Sequence, residues 1–290
     1  MIRLALIAWL ALCGVANAQL SGGLQFPGPG TAHSSGFVAS CTESSNFLAR
    51  ASGVTLTADK TLYDTMICGM VTDGTWAKMD AVYIFAAPDS TTAALNLVQA
   101  TFNGSTSLSF TAYQGFTGAA GTPFLTGLTP NAGGTQYTQN AASFGVYNLT
   151  SNTTENTVGL GTFNAGPNAS LLMQPTFTSQ VCVINTASGA SISSANSQGF
   201  WQCSRTASNS QGISKNGAAP TTNANVSTGL DNSSFTVFCQ HQGGTTYAGC
   251  TTNQFSAAYI GGALTNTDLA NMSSRINAYM SNLAVPINVY

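Results

Sequence analysis

From about Ser107 to Gly262 the chain is a succession of short apolar or alternating runs, cut apart by Gly, Asn, Ser and Pro. Ser107–Tyr113, Ser143–Leu149, Val158–Phe163, Val181–Asn185, Phe200–Arg205, Phe235–Gln240 and Ala257–Ile260 each read as one strand. Strands at this spacing, with no long helix between them, indicate a mainly β fold, an antiparallel jelly-roll sandwich. Helical periodicity is confined to the two flanks. Thr57 reads as an N-cap, followed by Leu62, Met66, Ile67 and Met70 on one face and a stop at Asp73-Gly74. A turn through Trp76 leads to the apolar strand Ala81–Ala86, and a short helical piece follows near Ala93–Val98. At the far end Thr265 and Asp268 form a capping-box-like start. The stripe Leu269, Met272, Ile276, Tyr279, Met280 and Leu283 then packs a closing helix on the sheet.

The first eighteen residues read as a secretory signal peptide. Arg3 precedes the apolar stretch Leu4–Val15, and Ala16-Asn17-Ala18 supplies a small-x-small cleavage site, leaving Gln19 first. About twelve apolar residues fall short of the ~20 that a membrane span needs, and the next apolar run, Ala81–Ala87, is strand-length. The expected organisation is a signal peptide (1–18), an extended Gly/Pro/Ser lead-in (19–45), a helical leader (46–100) and a jelly roll with its closing helix (101–290). The expected location is secreted, periplasmic or on the cell surface, with no transmembrane segment in the mature chain.

Six cysteines remain after Cys13, an even number that suits an oxidising compartment. Six allow 15 connectivities. Cys239 and Cys250 flank Gly243-Gly244, so a hairpin turning there sets them opposite each other. Cys182 and Cys203 bracket the Ser188–Gly199 loop, which leaves Cys41 with Cys68. No Cys-x-x-Cys pair offers a zinc site.

Charged residues make up only 6% of the chain, and the net charge is −2; an ordinary soluble domain carries about 25%. This excludes a basic footprint for nucleic acid, an acidic tail and a salt-bridged coiled coil. Surface polarity has to come from Ser, Thr, Asn, Gln and Gly.

Two segments look familiar. Leu56-Thr-Ala-Asp59 through Tyr63-Asp64, Gly69, Asp73-Gly74-x-Trp76-x-Lys78-x-Asp80-Ala81 and Leu95-Asn96-Leu97 form the first. The second is Ala258-Tyr-Ile-Gly261-Gly-Ala-Leu264-Thr265 with a helix ending Arg275-x-x-x-Tyr279-Met280. Together they resemble the leader and the closing strand and helix of the concanavalin A-like, LamG-type jelly roll found in phage virion (tail) proteins. Ser210–Ala218, with Lys215-Asn216-Gly217, is similar to its exposed hairpin with an Asn-Gly turn. The resemblance covers roughly 47–285. It implies a lectin-like fold and a recognition role, leaves a virion location open, and brings no catalytic residues.

The chemistry of the residues points the same way. Between Asp89 and Asp268 the only acids are Glu155 and Asp231, in different loop-like stretches, so a glycosidase carboxylate pair is not expected. There is no Gly-x-Ser-x-Gly elbow, and the histidines are His33 in the lead-in and His241 in a Gln/Gly loop. No cofactor is expected; calcium on Asp231 is the weak alternative, since a tight site gathers several hard oxygens. Sugars combine apolar ring faces with many hydroxyls, so neutral sites pair an aromatic platform with amides and hydroxyls. Tyr247 and His241 at one loop, and Asn209, Gln211 and Asn216 on the hairpin, supply that mixture, whereas Trp201 beside Cys203 reads as core. The expected partner is a polysaccharide or glycan. The alternative is a structural role packed against other subunits, and a glycoside hydrolase is the third.

Overall fold

The apolar run at 79–84 forms strand β1 (Met79–Ile84), with all six side chains buried. Alternate residues enter two different cores. Ala81, Tyr83 and Phe85 face an interior shared by two sheets, while Val82, Ile84 and Ala86 face a layer of helices. A strand covered on both faces reads as a continuous apolar run rather than an alternating one.

The computed structural model describes residues 36–290 apart from 133, 135, 152–155, 165–167, 177, 286, 288 and 289. Its helices are α1 (Thr42–Leu48), α2 (Thr57–Thr72), α3 (Ser90–Ala93) and α4 (Asn266–Ser281). The strands after β1 are β2 (Ser109–Thr111), β3 (Gly115–Thr117), β4 (Phe124–Leu125), β5 (Ala142–Asn148), β6 (Thr157–Thr162), β7 (Ser170–Thr176), β8 (Ser179–Ile184) and β9 (Ala190–Ser193). They continue as β10 (Gly199–Ala207), β11 (Ser210–Lys215), β12 (Thr221–Asn223), β13 (Thr236–Val237), β14 (Gln240–His241), β15 (Tyr247–Ala248) and β16 (Gln254–Gly261).

The strands form a mainly antiparallel sandwich. The first sheet runs β12-β11-β10-β5-β16-β3-β2, with β1 also on β16; the second runs β15-β14-β6-β7-β8-β9, with β13 on β6 and β4 on β13. Phe144, Val146, Trp201, Cys203, Phe255 and Ile260 of the first sheet meet Leu160, Leu172, Cys182, Ile184, Val237 and Phe238 of the second. The Cys182–Cys203 disulfide crosses between the sheets at this core, with Cα atoms 5.8 Å apart and both residues fully buried. The Ser188–Gly199 connection contains β9 rather than loop alone. Trp201 is 1% exposed and packs as core.

The opposite face of the first sheet is roofed by helices. Tyr63, Met66, Ile67 and Met70 of α2 and Leu269, Met272, Ile276, Tyr279 and Met280 of α4 pack on Tyr147, Phe200 and Tyr259. Tyr63 rather than Leu62 carries the first turn of the α2 stripe; Leu62 stays at its margin. The capping box at Thr265 and Asp268 is formed, Thr265 accepting from the Asp268 N–H. The residues that carry the sequence resemblance tie these pieces together. At Gly69 an added Cβ would press on the Arg275 side chain, and Arg275 reaches over it to Asp73 at 2.8 and 3.0 Å. Lys78 pairs with Asp268 at 2.6 Å. Buried Asp80 accepts from the Tyr137 N–H at 2.7 Å, and Asn96 accepts from the Val82 N–H at 3.1 Å. The leader is thus bonded into the sheet through β1, and Phe37–Tyr290 is one compact unit.

Several strands differ from expectation for local reasons. Phe238 at φ +73 breaks Phe235–Gln240 into two, so β13 lies antiparallel and β14 parallel to the same strand β6. Tyr113 at φ +60 ends the first expected strand early. The unexpected strand β7 reads Ser-Leu-Leu-Met-Gln-Pro-Thr, without period-2 alternation. Helix α1 begins inside the stretch taken as lead-in, with Cys41 at its N-cap bonded to Cys68 of α2. The signal peptide, most of the lead-in, His33 and Glu155 lie outside the described residues.

Candidate functional site

After the reversal at Phe238, β14 pairs with β15, the edge strand of the second sheet, as a tight hairpin. The chain turns at Gly243 (φ +88) and Gly244 (φ +58), a left-handed pair that glycine adopts without penalty. The Gln242 N–H donates to Thr246 O at 2.9 Å and the Thr246 N–H to Gly243 O at 3.1 Å. The Cys239–Cys250 disulfide closes the base. Residues directly opposed in an antiparallel pair share a face, and His241 is opposed by Tyr247. Their ring centroids lie 5.2 Å apart with planes at 33°.

Tyr247 is half-buried and forms one wall of an open groove of about 470 Å³ with Ser105, Thr106, Ser107, Thr122 and Pro123. The opposite wall is built by pairing. Ser105 and Leu125 exchange backbone hydrogen bonds of 3.1 and 2.9 Å, and Thr106 Oγ1 donates to Pro123 O at 3.0 Å. Strand alternation turns Thr106 inward and leaves Ser105 and Ser107 exposed. Phe124 is fully buried, and Gly104 touches its ring so closely that a Cβ there would overlap it. No charged side chain lines the groove. It offers one aromatic face, aliphatic edges and hydroxyls.

The hairpin's other face carries Gln240 and Gln242, which border a second groove of about 450 Å³ over Phe163, Leu171, Met173 and Val183. This is the outer face of the second sheet.

No protein-family model matches this chain, and no curated protein does. Among solved structures, a mutant of Trypanosoma rangeli sialidase displaying trans-sialidase activity superposes with a TM-score of 0.48 at 10% identity, covering 76% of this chain and 39% of its own. Domain 4 of AbnA, a GH43 extracellular arabinanase from Geobacillus stearothermophilus in complex with arabinotriose, superposes with a TM-score of 0.39 at 13% identity, covering 68% of this chain and 98% of its own. The chain spans about two fifths of the sialidase's length.

The residues singled out in the sequence separate into two groups. His241 and Tyr247 stand together. Asn209, Gln211 and Asn216 do not join them, nor do they form one exposed hairpin. Asn209 is exposed in the β10–β11 turn, while Asn216 sits at the other end of β11. Asn216 (φ +57) and Gly217 (φ +74) form the expected turn, but Asn216 Oδ1 accepts from the Phe200 N–H at 2.7 Å and Gly217 packs on Ser273 of α4. Gln211 is 1% exposed; it accepts from the Ile184 N–H at 2.8 Å and donates to Ser188 O at 2.7 Å, which clamps the two sheets together. Its polarity serves the interior, which spacing does not reveal.

Asp231 is buried as well. It accepts from Thr162 Oγ1 at 3.0 Å, from the Asn164 N–H at 2.8 Å and from the Ser233 N–H at 2.7 Å. Among the described residues the only cluster of metal-capable side chains is Cys41, Asp64 and Cys68, whose two sulfurs form a disulfide. Each described Asp accepts a hydrogen bond inside the fold: Asp59 from Tyr113, Asp64 from Ser40, Asp89 from Thr92, and the rest as given above. The groove residues Ser105, Ser107 and Thr122 had no sequence signal. They lie more than a hundred residues from Tyr247 and read as generic loop composition.

Proposed function

We propose that this chain is an exported, non-catalytic glycan-recognition module built on a lectin-like jelly roll. The observation that carries the reading is the uncharged groove, lined together by the half-buried Tyr247 and the exposed Ser105 and Ser107. An aromatic face takes the C–H side of a pyranose, and neutral hydroxyls exchange hydrogen bonds with its hydroxyls at little desolvation penalty. The described aspartates each accept a hydrogen bond from the fold, which suits a structural role for these acids. Three disulfides and the absence, among the described residues, of a helix long and apolar enough to cross a membrane accord with export.

A glycan-array screen on the mature, oxidised protein identifies the sugar, and titration calorimetry then compares Tyr247→Ala with the parent. The expected loss is about 1–2 kcal/mol, roughly 5- to 30-fold in affinity. Equal affinity in the two proteins refutes the groove, and the absence of any bound glycan refutes the reading.

One observation favours a second reading, a structural component that packs against copies of itself. The outer face of the second sheet carries partly exposed Phe163 and Met173 over the buried Leu171 and Val183, without a covering helix among the described residues. Sedimentation across a concentration series, with Met173→Lys as the disrupting variant, tests it. Self-association abolished by that change supports packing, and a strict monomer excludes it.

A further inference from the structure

Part of the way along the sandwich, the positions that face inward change from apolar to amide. Strand β5 places Asn148 two residues beyond the core residue Val146, β7 places Gln174 two beyond Leu172, and β8 places Gln180 two before Cys182. Side chains two apart on a strand share a face, so all three amides line the space between the sheets, beside Trp201 and Phe255. They enclose a cavity of about 20 Å³, whose wall also includes Asn253 and Thr157. It lies one layer from the Cys182–Cys203 bridge, since Gln180 and Trp201 each stand two residues before one of its cysteines.

Some polar groups of this wall are satisfied within the fold. Asn148 donates to Ser197 O at 2.7 Å and accepts from the Thr150 N–H at 3.1 Å, and the Trp201 indole N–H donates to the same Ser197 carbonyl at 2.8 Å. Gln180, Asn253 and Thr157 differ. They are 6%, 5% and 6% exposed and line the cavity, yet none of the three side chains is hydrogen-bonded among the described residues. Their backbones are fixed: Gln180 is paired with Ile192 of β9 and Thr157 with Gln174 of β7, while the Asn253 N–H donates to Thr251 Oγ1 at 3.2 Å. A buried amide or hydroxyl without a partner is costly, and three around one cavity call for a guest.

We propose that this cavity is a binding site for one ordered water molecule, held by Gln180 and Thr157 of the second sheet and by Asn253 at the entry to β16 of the first. Volume and donor set choose the guest. A buried water needs roughly 10–15 Å³ and makes about three hydrogen bonds, and three side chains supply them. Amides and hydroxyls both donate and accept, and a water answers in either sense. No charged side chain lines the cavity, so an ion would be buried without a counter-charge, and a sugar ring exceeds the space. The bound molecule joins the two sheets by hydrogen bonds one layer from their covalent tie. None of the residues that line the Tyr247 groove lines this cavity, and the site stands whether or not the chain binds glycans.

Magnetic relaxation dispersion of the water oxygen, on the mature oxidised protein, counts the water molecules held longer than the protein tumbles. Gln180→Met and Asn253→Leu keep the bulk of each side chain and remove its hydrogen-bonding groups. Each variant should hold about one long-lived water fewer than the parent. A count unchanged in either variant overturns the site. If neither variant folds, a high-resolution crystal structure of the parent decides. An ordered water within hydrogen-bond reach of both the Gln180 and Asn253 amides supports the site. The two amides turned onto each other, a dry cavity or a different guest in that place overturns it.

Discussion

Arg205 is fully buried yet pairs with no carboxylate among the described residues. Its Nε donates to Ile184 O at 3.0 Å, and Nη1 reaches the carbonyls of Ala207, Ser208 and Asn225 at 2.8–3.2 Å. Burial pushes its pKa down from the ordinary arginine value, with the nearby Tyr137 acting against that; backbone dipoles take the place of a counter-ion. A lysine cannot span these carbonyls, because its ammonium is a point donor on a flexible stem. Arg205→Lys should therefore lower stability by about 2–3 kcal/mol in urea unfolding while leaving the groove intact. A loss under about 0.5 kcal/mol would contradict this account. Gln211 makes the same point with an amide. Such side chains look like surface in a sequence, since nothing local says that the next sheet lies against them. The closeness of Tyr247 and His241 was legible because an aromatic and a ring base beside a Gly-Gly turn stand out, whereas Ser105 comes near Tyr247 only through its pairing with Leu125.

The helix α4 was the most legible element, because a capping box and an apolar stripe are both local signals. Thr265→Ala should cost about 1 kcal/mol, read as a drop in Tm. Two acids tie α4 and its cap to the leader. The hydrogen bond and charge of Arg275 hold Asp73 below the usual carboxylate range. At Asp268 burial works to raise the pKa, but the hydrogen bonds from Lys78 and Thr265 outweigh it and the net direction is down. A carboxylate with a depressed folded pKa contributes stability above its unfolded value, near 3.9, and loses it as pH falls through the folded value. Tm should hold near neutrality and fall below about pH 4, with a shallower fall in Arg275→Gln. An equal slope in both proteins would remove the Asp73–Arg275 pair from the account. Elements such as β13 and β14 were illegible as two strands, since only a left-handed phenylalanine at 238 separates them.

At the scale of the whole molecule, one sheet is sandwiched between helices and its partner, while no helix among the described residues covers the outer side of the other. The double cover explains why β1 and β5 are buried throughout, and it made the strands of that sheet the easiest to recognise. The inter-sheet bridge lies at the centre of this arrangement. Replacing Cys182 and Cys203 by alanine should cost about 2–5 kcal/mol in denaturant unfolding, against little change for a surface substitution. Because the groove is uncharged, glycan affinity should be nearly the same from low to high salt; a steep salt dependence measured by calorimetry would point to another surface. The three bridges have a mechanical consequence as well. They close separate loops of 27, 21 and 11 residues, so a molecule pulled from its ends keeps about 200 Å of contour in reserve. Under load the chain outside these loops can extend, and this last reserve is released only when a reductant opens the bridges.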